Sequence, residues 1–215
     1  MSYFSEFKTL FQQWRLAWAE EWAHDHEYPR AVAAYTDIIA RPSATAEMKA
    51  VALVGRGECR NSQGQFEEAM DDFNRALEVP GTSMALRAYA LFNRGNCLEA
   101  HGFVEQGVED YTRLIEMPHA PAEQKACALY NRGNYWEEHG QIEAALKDYT
   151  QALRTPGALA EVKACALGHR ATLLSQRGYI QNAIDDYTQI LEMPDATKEQ
   201  KRLAREHRAR WLVGQ

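Results

Sequence analysis

Apolar and small residues fall at helical spacing along this chain, in short runs closed by glycine or proline. Leu91, Gly95 and Leu98 stand at i, i+4 and i+7, one face of an α-helix, and the run stops at Gly102. A glycine just past a helix end supplies the left-handed residue where a Cβ would cost energy. The chain should reverse there. A second stripe, Gly107, Tyr111 and Leu114, begins near Val104, and Pro118 stands where that helix can no longer continue. The pattern predicts a hairpin of two helices, A and then B.

The hairpin recurs with a period of 38 residues and no insertion: Tyr35, Phe73, Tyr111, Tyr149 and Tyr187 are in step, as are Pro42, Pro80, Pro118, Pro156 and Pro194. So are Arg56, Arg94, Arg132, Arg170 and Arg208; Gly57, Gly95 and Gly133, with Ala171; and Gly64, Gly102, Gly140 and Gly178. A mid-helix glycine costs about 1 kcal/mol against alanine, so Gly95 and Gly133 read as close approach between helices A and B. Ala69, Ala145 and Ala183 answer it from helix B. The segments RPSATAEMKA, MPHAPAEQKA and MPDATKEQKR each set a short polar turn before Glu and Lys or Arg, a helix start for the next helix A.

The segment ALFNRGNCLEAHGFVEQGVEDYTRLIEMP carries a large apolar residue, Gly, a second apolar residue, Gly, a small residue, an aromatic and Pro. In this it resembles the tetratricopeptide repeat family, over roughly residues 8 to 213. That family usually repeats every 34 residues. The extra residues here lie between the proline and the next helix A, which they should lengthen at its start. The resemblance implies an all-α, right-handed superhelical solenoid of antiparallel helical hairpins in one domain over residues 1–215. Its five repeats would span about 8–42, 45–80, 83–118, 121–156 and 159–194, with a C-terminal capping helix over 197–213. The first copy is aberrant, with Trp14 and Trp18 where later copies carry Ala and Arg.

Composition narrows the function. A net charge of −6 with no Lys/Arg block gives no footprint for nucleic acid or a membrane surface. The start MSYFSEFKTLFQQW lacks a secretory pattern, and no run of about eighteen apolar residues occurs, so a cytoplasmic protein is expected. Cys59, Cys97, Cys127 and Cys165 form no C-x-x-C pair and fall into two couples 38 residues apart, as small packing residues of the repeat would. His24 and His26, with Asp25, could begin a metal site, but with no third ligand evident nearby in sequence they read as a solvated helix end. His169 and His207 share a phase with Asn93 and Asn131 and read as polar surface positions. No catalytic residue, metal or cofactor is assigned, and no enzyme activity is expected.

Asp72, Asp110, Asp148 and Asp186 also step by 38 on helix B, and in the first copy Arg and Asp vanish together, to Trp18 and Ala34. Pairing within each hairpin is the natural inference; the alternative is an Arg whose stem packs while its head reaches water.

Two surfaces stand out for binding. Tyr89, Phe92, Asn96 and Glu99, and then Cys127, Tyr130, Asn134 and Glu137, each step by 3, 4 and 3 along helix A. The resemblance implies that this face lines a concave groove holding a peptide or protein segment. Aromatics would give contact area, and asparagine can both donate to and accept from a peptide backbone. The alternative is that the rings fill space between neighbouring helices. The Lys/Arg clamp that some family members use for a carboxylate is absent, its places held by Val54, Phe92, Tyr130 and Cys127. Glu58, Glu99, Glu137 and Glu138 favour a basic or neutral segment. The second surface is the N-terminal stripe Phe4, Phe7, Phe11, Trp14 and Trp18, which either packs internally or forms a seam for self-association or a partner helix.

Overall fold

The structure is a computed structural model and describes residues 16–212. All regular elements among these residues are helices. Residues 16–24 are helical and form the described part of α1. Then come α2 (Tyr28–Ala40), α3 (Ala46–Ser62), α4 (Phe66–Glu78), α5 (Met84–Ala100), α6 (Val104–Glu116), α7 (Ala122–Glu138), α8 (Ile142–Arg154), α9 (Ala160–Gln176), α10 (Ile180–Glu192) and α11 (Lys198–Leu212). Odd-numbered helices are the A members and even-numbered ones the B members. From α3 to α9 each helix A has 17 residues, and the following helix B has 13. The helix starts at 46, 84, 122, 160 and 198 keep the sequence period.

The turns explain the glycine series. Gly64, Gly102, Gly140 and Gly178 all have positive φ, 69° to 84°. In each case the next residue's N–H bonds back across the helix end, as Gln65 does to the carbonyl of Arg60 at 2.9 Å and Gln141 to that of Trp136 at 2.8 Å. His26 takes the same place in the first copy with φ 60°, and Glu27 N–H bonds to the Trp22 carbonyl at 2.8 Å. The second histidine of the H-x-H is therefore a helix-end residue in a glycine's conformation, its Nδ1 2.6 Å from the Tyr28 hydroxyl.

Capping of the A helices is uneven. Thr45 accepts from Met48 N–H at 3.1 Å and Ser83 from Leu86 N–H at 3.3 Å. Thr197 and Gln200 cap each other's backbone at 3.1 and 2.9 Å. Pro121 and Leu159 precede α7 and α9 with no side-chain cap.

The chain forms two compact units that divide within α6, one up to Asp110 and one from Tyr111. In the first unit the core gathers Ala31, Tyr35, Ile38, Ala52 and Cys59, and then Leu53, Val54, Phe73, Ala90 and Cys97. Both thiols are free and buried, and burial pushes the Cys59 thiol up to about 11. In the second unit Tyr149 packs with Ala145, Ala166 and Leu173, and Tyr187 with Leu167, Ala171 and Ile190.

The mid-helix glycines meet aromatic rings more closely than they meet the alanines. A Cβ on Gly57 would lie 2.8 Å from the Phe73 ring, and one on Gly133 2.6 Å from the Tyr149 ring. In the third copy the approach is backbone to backbone, with a Cβ on Gly107 only 2.8 Å from the Gly95 carbonyl oxygen.

The Arg–Asp inference holds in all four hairpins that carry both residues. Arg56, Arg94, Arg132 and Arg170 each donate through Nε and Nη2 to both oxygens of Asp72, Asp110, Asp148 and Asp186, at 2.6 to 2.9 Å. Each arginine also uses Nη1 to reach the helix B before it. Arg56 donates to Thr36, Arg94 to Asn74, Arg132 to Thr112 and Arg170 to Thr150, at 2.6 to 3.1 Å. Arg208 repeats this bond with Thr188 at 3.1 Å. One side chain thus ties its own hairpin closed and joins it to the previous one.

Candidate functional site

In the first unit the A-helix face brings Glu58 of α3 against Tyr89 of α5. The Tyr89 hydroxyl donates to Glu58 at 2.7 Å, and the ring stays 39% exposed. Burial raises the Glu58 carboxyl above its ordinary range; the Tyr89 bond works against this, and nearby Glu20 adds to it. Both tyrosines facing this acid, Tyr35 and Tyr89, are themselves driven upward by burial. Phe92 and Asn96 are half-buried on α5, and Glu99 is exposed. Val54, where a clamp residue would stand, is buried in the core.

In the second unit Tyr130, Asn134 and Glu137 of α7 enter a polar network that includes two residues the sequence reading left out of the site. The Tyr149 hydroxyl, coming through from α8, lies 2.8 Å from Asn134 Oδ1 and 2.6 Å from Glu137 Oε2. His169 of α9 sets Nδ1 2.9 Å from Glu137 Oε2 and Nε2 3.3 Å from the Tyr130 hydroxyl. Burial alone would raise the Glu137 carboxyl, but the bonds from His169 and Tyr149 outweigh it and hold the group below its ordinary range. His169 is therefore a half-buried member of the network and not simply a polar surface position. Its ring lies 5.6 Å from that of Tyr149, twenty residues earlier. Tyr187 and His207 repeat that relation at 5.6 Å, and Asn131 donates to the Tyr111 hydroxyl at 3.3 Å. The shared phase of Asn131, His169 and His207 was visible in the sequence. Its meaning, contact with the previous helix B aromatic, required knowing how successive hairpins pack.

A cavity of about 250 Å³ opens beside the network, between α9, α10 and α11, with Gly168, His169, Tyr187, Ile190 and His207 among its lining residues. At the N-terminus, Trp18 is 40% exposed and lies 6.4 Å, ring to ring, from Trp22. Phe4, Phe7, Phe11 and Trp14 lie outside the described residues. Among the described residues no group of three His, Cys, Asp or Glu side chains is placed to hold a metal, and no helix is long and apolar enough to cross a membrane.

Residues 50–81 match a family model described as tetratricopeptide repeat. No curated protein matches the chain in sequence. Among solved structures, MamA is similar with a TM-score of 0.61 at 16% identity, over 81% of this chain and 92% of MamA. YrrB, described as a TPR protein with an unusual peptide-binding site, is similar with a TM-score of 0.57 at 18% identity, over 91% and 90%. The C-terminal part of a TPR repeat-containing protein from Cytophaga hutchinsonii gives 0.62 at 11% identity, over 84% and 65%. At these identities the likeness is one of fold. The resemblance to tetratricopeptide repeat proteins stands in both the matched repeat and the helical-hairpin architecture.

Proposed function

We propose that this array of tetratricopeptide-type hairpins is a protein-interaction scaffold that holds an extended peptide or protein segment on the groove face of its A helices. The observation that carries the reading is Tyr89, which stays 39% exposed while Glu58 fixes its hydroxyl. A ring that only filled space between helices would be buried. An exposed ring held in one orientation offers contact area with little further entropy to lose. Asn96 and Asn134 supply polar groups at one repeat phase, with Glu137 three residues beyond Asn134, and the acids on this face favour a basic or neutral segment over an acidic one. The array is read as one domain of five repeats and a capping helix, with no catalytic role.

The experiment is selection of binding peptides from a displayed random library on the full chain, followed by affinity measurement on Tyr89→Ala and Asn134→Ala. Selected peptides should be neutral or basic and should lose at least tenfold in affinity on one of these variants. Peptides that bind both variants as tightly as the parent would overturn the reading.

A second reading, self-association through the N-terminal aromatic face, draws on the exposure of Trp18 beside Trp22. Sedimentation at high micromolar concentration decides it: a monodisperse monomer removes that reading and leaves the groove.

A further inference from the structure

The cavity between α9, α10 and α11 arises where the repeat loses a side chain. Position by position, Val54, Phe92, Tyr130 and Gly168 share one phase on helix A. Tyr130 fills its place. Its ring lies 6.1 Å from Tyr149 and 5.7 Å from His169, with its hydroxyl 3.3 Å from His169 Nε2. One repeat later the two walls are reproduced: Tyr187 and His207 stand 5.6 Å apart at 31°, as Tyr149 and His169 stand 5.6 Å apart at 36°. The filler is missing. A Cβ on Gly168 would meet only Ile190 Cδ1, at 3.9 Å, within 4 Å.

We infer that this cavity receives an aromatic side chain of the bound segment, a tyrosine before others, in the place Tyr130 occupies one repeat earlier. The inference rests on the peptide-binding reading above and adds a residue preference to it. The size is sufficient, since an apolar cavity of about 150 Å³ holds benzene and this one has about 250 Å³. The polarity fits as well. Ile190, Leu203 and Ala204 surround the ring position with apolar surface, and the imidazole of His207 stands where His169 meets the Tyr130 hydroxyl. A site that can bond a hydroxyl disfavours an analogue lacking it.

The test uses p-cresol, the tyrosine side chain as a free molecule, titrated into the full chain with the His207 ring protons followed by NMR. Saturable shifts with a Kd on the order of 1 mM are expected for a ligand of this size, with weaker binding of toluene. Gly168→Tyr should abolish them, because the new ring fills the cavity from within. Gly168→Ala, which adds a single methyl group where the nearest of these atoms is 3.9 Å away, should retain them. Absence of saturable shifts, or shifts unchanged in Gly168→Tyr, overturns the cavity assignment, and peptides still selected on the groove face would then leave the scaffold reading in place. If p-cresol binds as expected but selected peptides ignore the groove variants, the peptide reading fails and takes the side-chain assignment with it.

Discussion

Arg132 grips both carboxylate oxygens of Asp148, Nε at 2.7 Å and Nη2 at 2.9 Å, and its remaining nitrogen Nη1 donates to Thr112 at 3.0 Å. Trp136 Nε1 adds a further bond to the same aspartate at 3.1 Å. The carboxylate is 3% exposed and the guanidinium side chain 16%. Removing one partner of such a pair leaves a nearly buried charge uncompensated, at a typical cost of 3–5 kcal/mol. Asp148→Ala should therefore lower the urea midpoint by an amount equivalent to about 3 kcal/mol. A midpoint equal to that of the parent would mean that the pair contributes nothing to stability.

Two mid-helix glycines should respond to alanine with opposite signs. Gly133→Ala forces a Cβ to within 2.6 Å of the Tyr149 ring, and overpacking of 1–3 kcal/mol outweighs the helix-propensity gain of about 1. Gly168→Ala meets only ordinary contact at 3.9 Å and should gain roughly that 1 kcal/mol. Thermal melts of the two variants, expected to move down and up respectively, check the pair.

His26 occupies the left-handed helix-end position that Gly64, Gly102, Gly140 and Gly178 hold in later copies. Relief of the Cβ strain should make His26→Gly more stable by about 0.5–1 kcal/mol, the freedom of glycine in the unfolded chain offsetting part of the gain. Gly64→Ala, in open space at φ 75°, should lose a similar amount. Equal midpoints for both variants and the parent would dismiss the strain.

Glu58 and Glu137 predict opposite pH behaviour. Glu137 is held below its ordinary range by His169 and Tyr149, so its stabilisation is complete above the unfolded glutamate value of about 4.3 and is lost as pH falls through the lowered folded value. Glu58 is raised, chiefly by burial. Its cost is absent below about 4.3, grows as pH rises to the raised folded value and is complete above it. At pH 7 Glu137→Gln should melt below the parent and Glu58→Gln above it; the Glu58 difference should be gone by about pH 4, whereas the Glu137 difference should begin to shrink only below about 4.3. Differences that persist unchanged at low pH would assign both effects to something other than ionisation.

Much of the hairpin was legible in the sequence because its contacts lie within one period. Helix ends, left-handed turns and the Arg–Asp pairing join residues at most sixteen apart, so each recurs from copy to copy and can be read from the spacing. The groove stripe was legible as a helical face. Whether a ring on it is surface or filler was not: Tyr89 stands exposed against Glu58, whereas Tyr130 lies half-buried between Tyr149 and His169.

What only the tertiary structure decided is what each hairpin does to the next. The bonds from Arg170 to Thr150 and from His169 to Glu137, and the cavity at Gly168, depend on the rotation between successive helix pairs. That rotation is set by side-chain packing and leaves no periodic mark of its own. The 38-residue period by itself determined the unit. Packing between successive hairpins decided which of their polar residues face one another, and where a missing ring leaves a cavity.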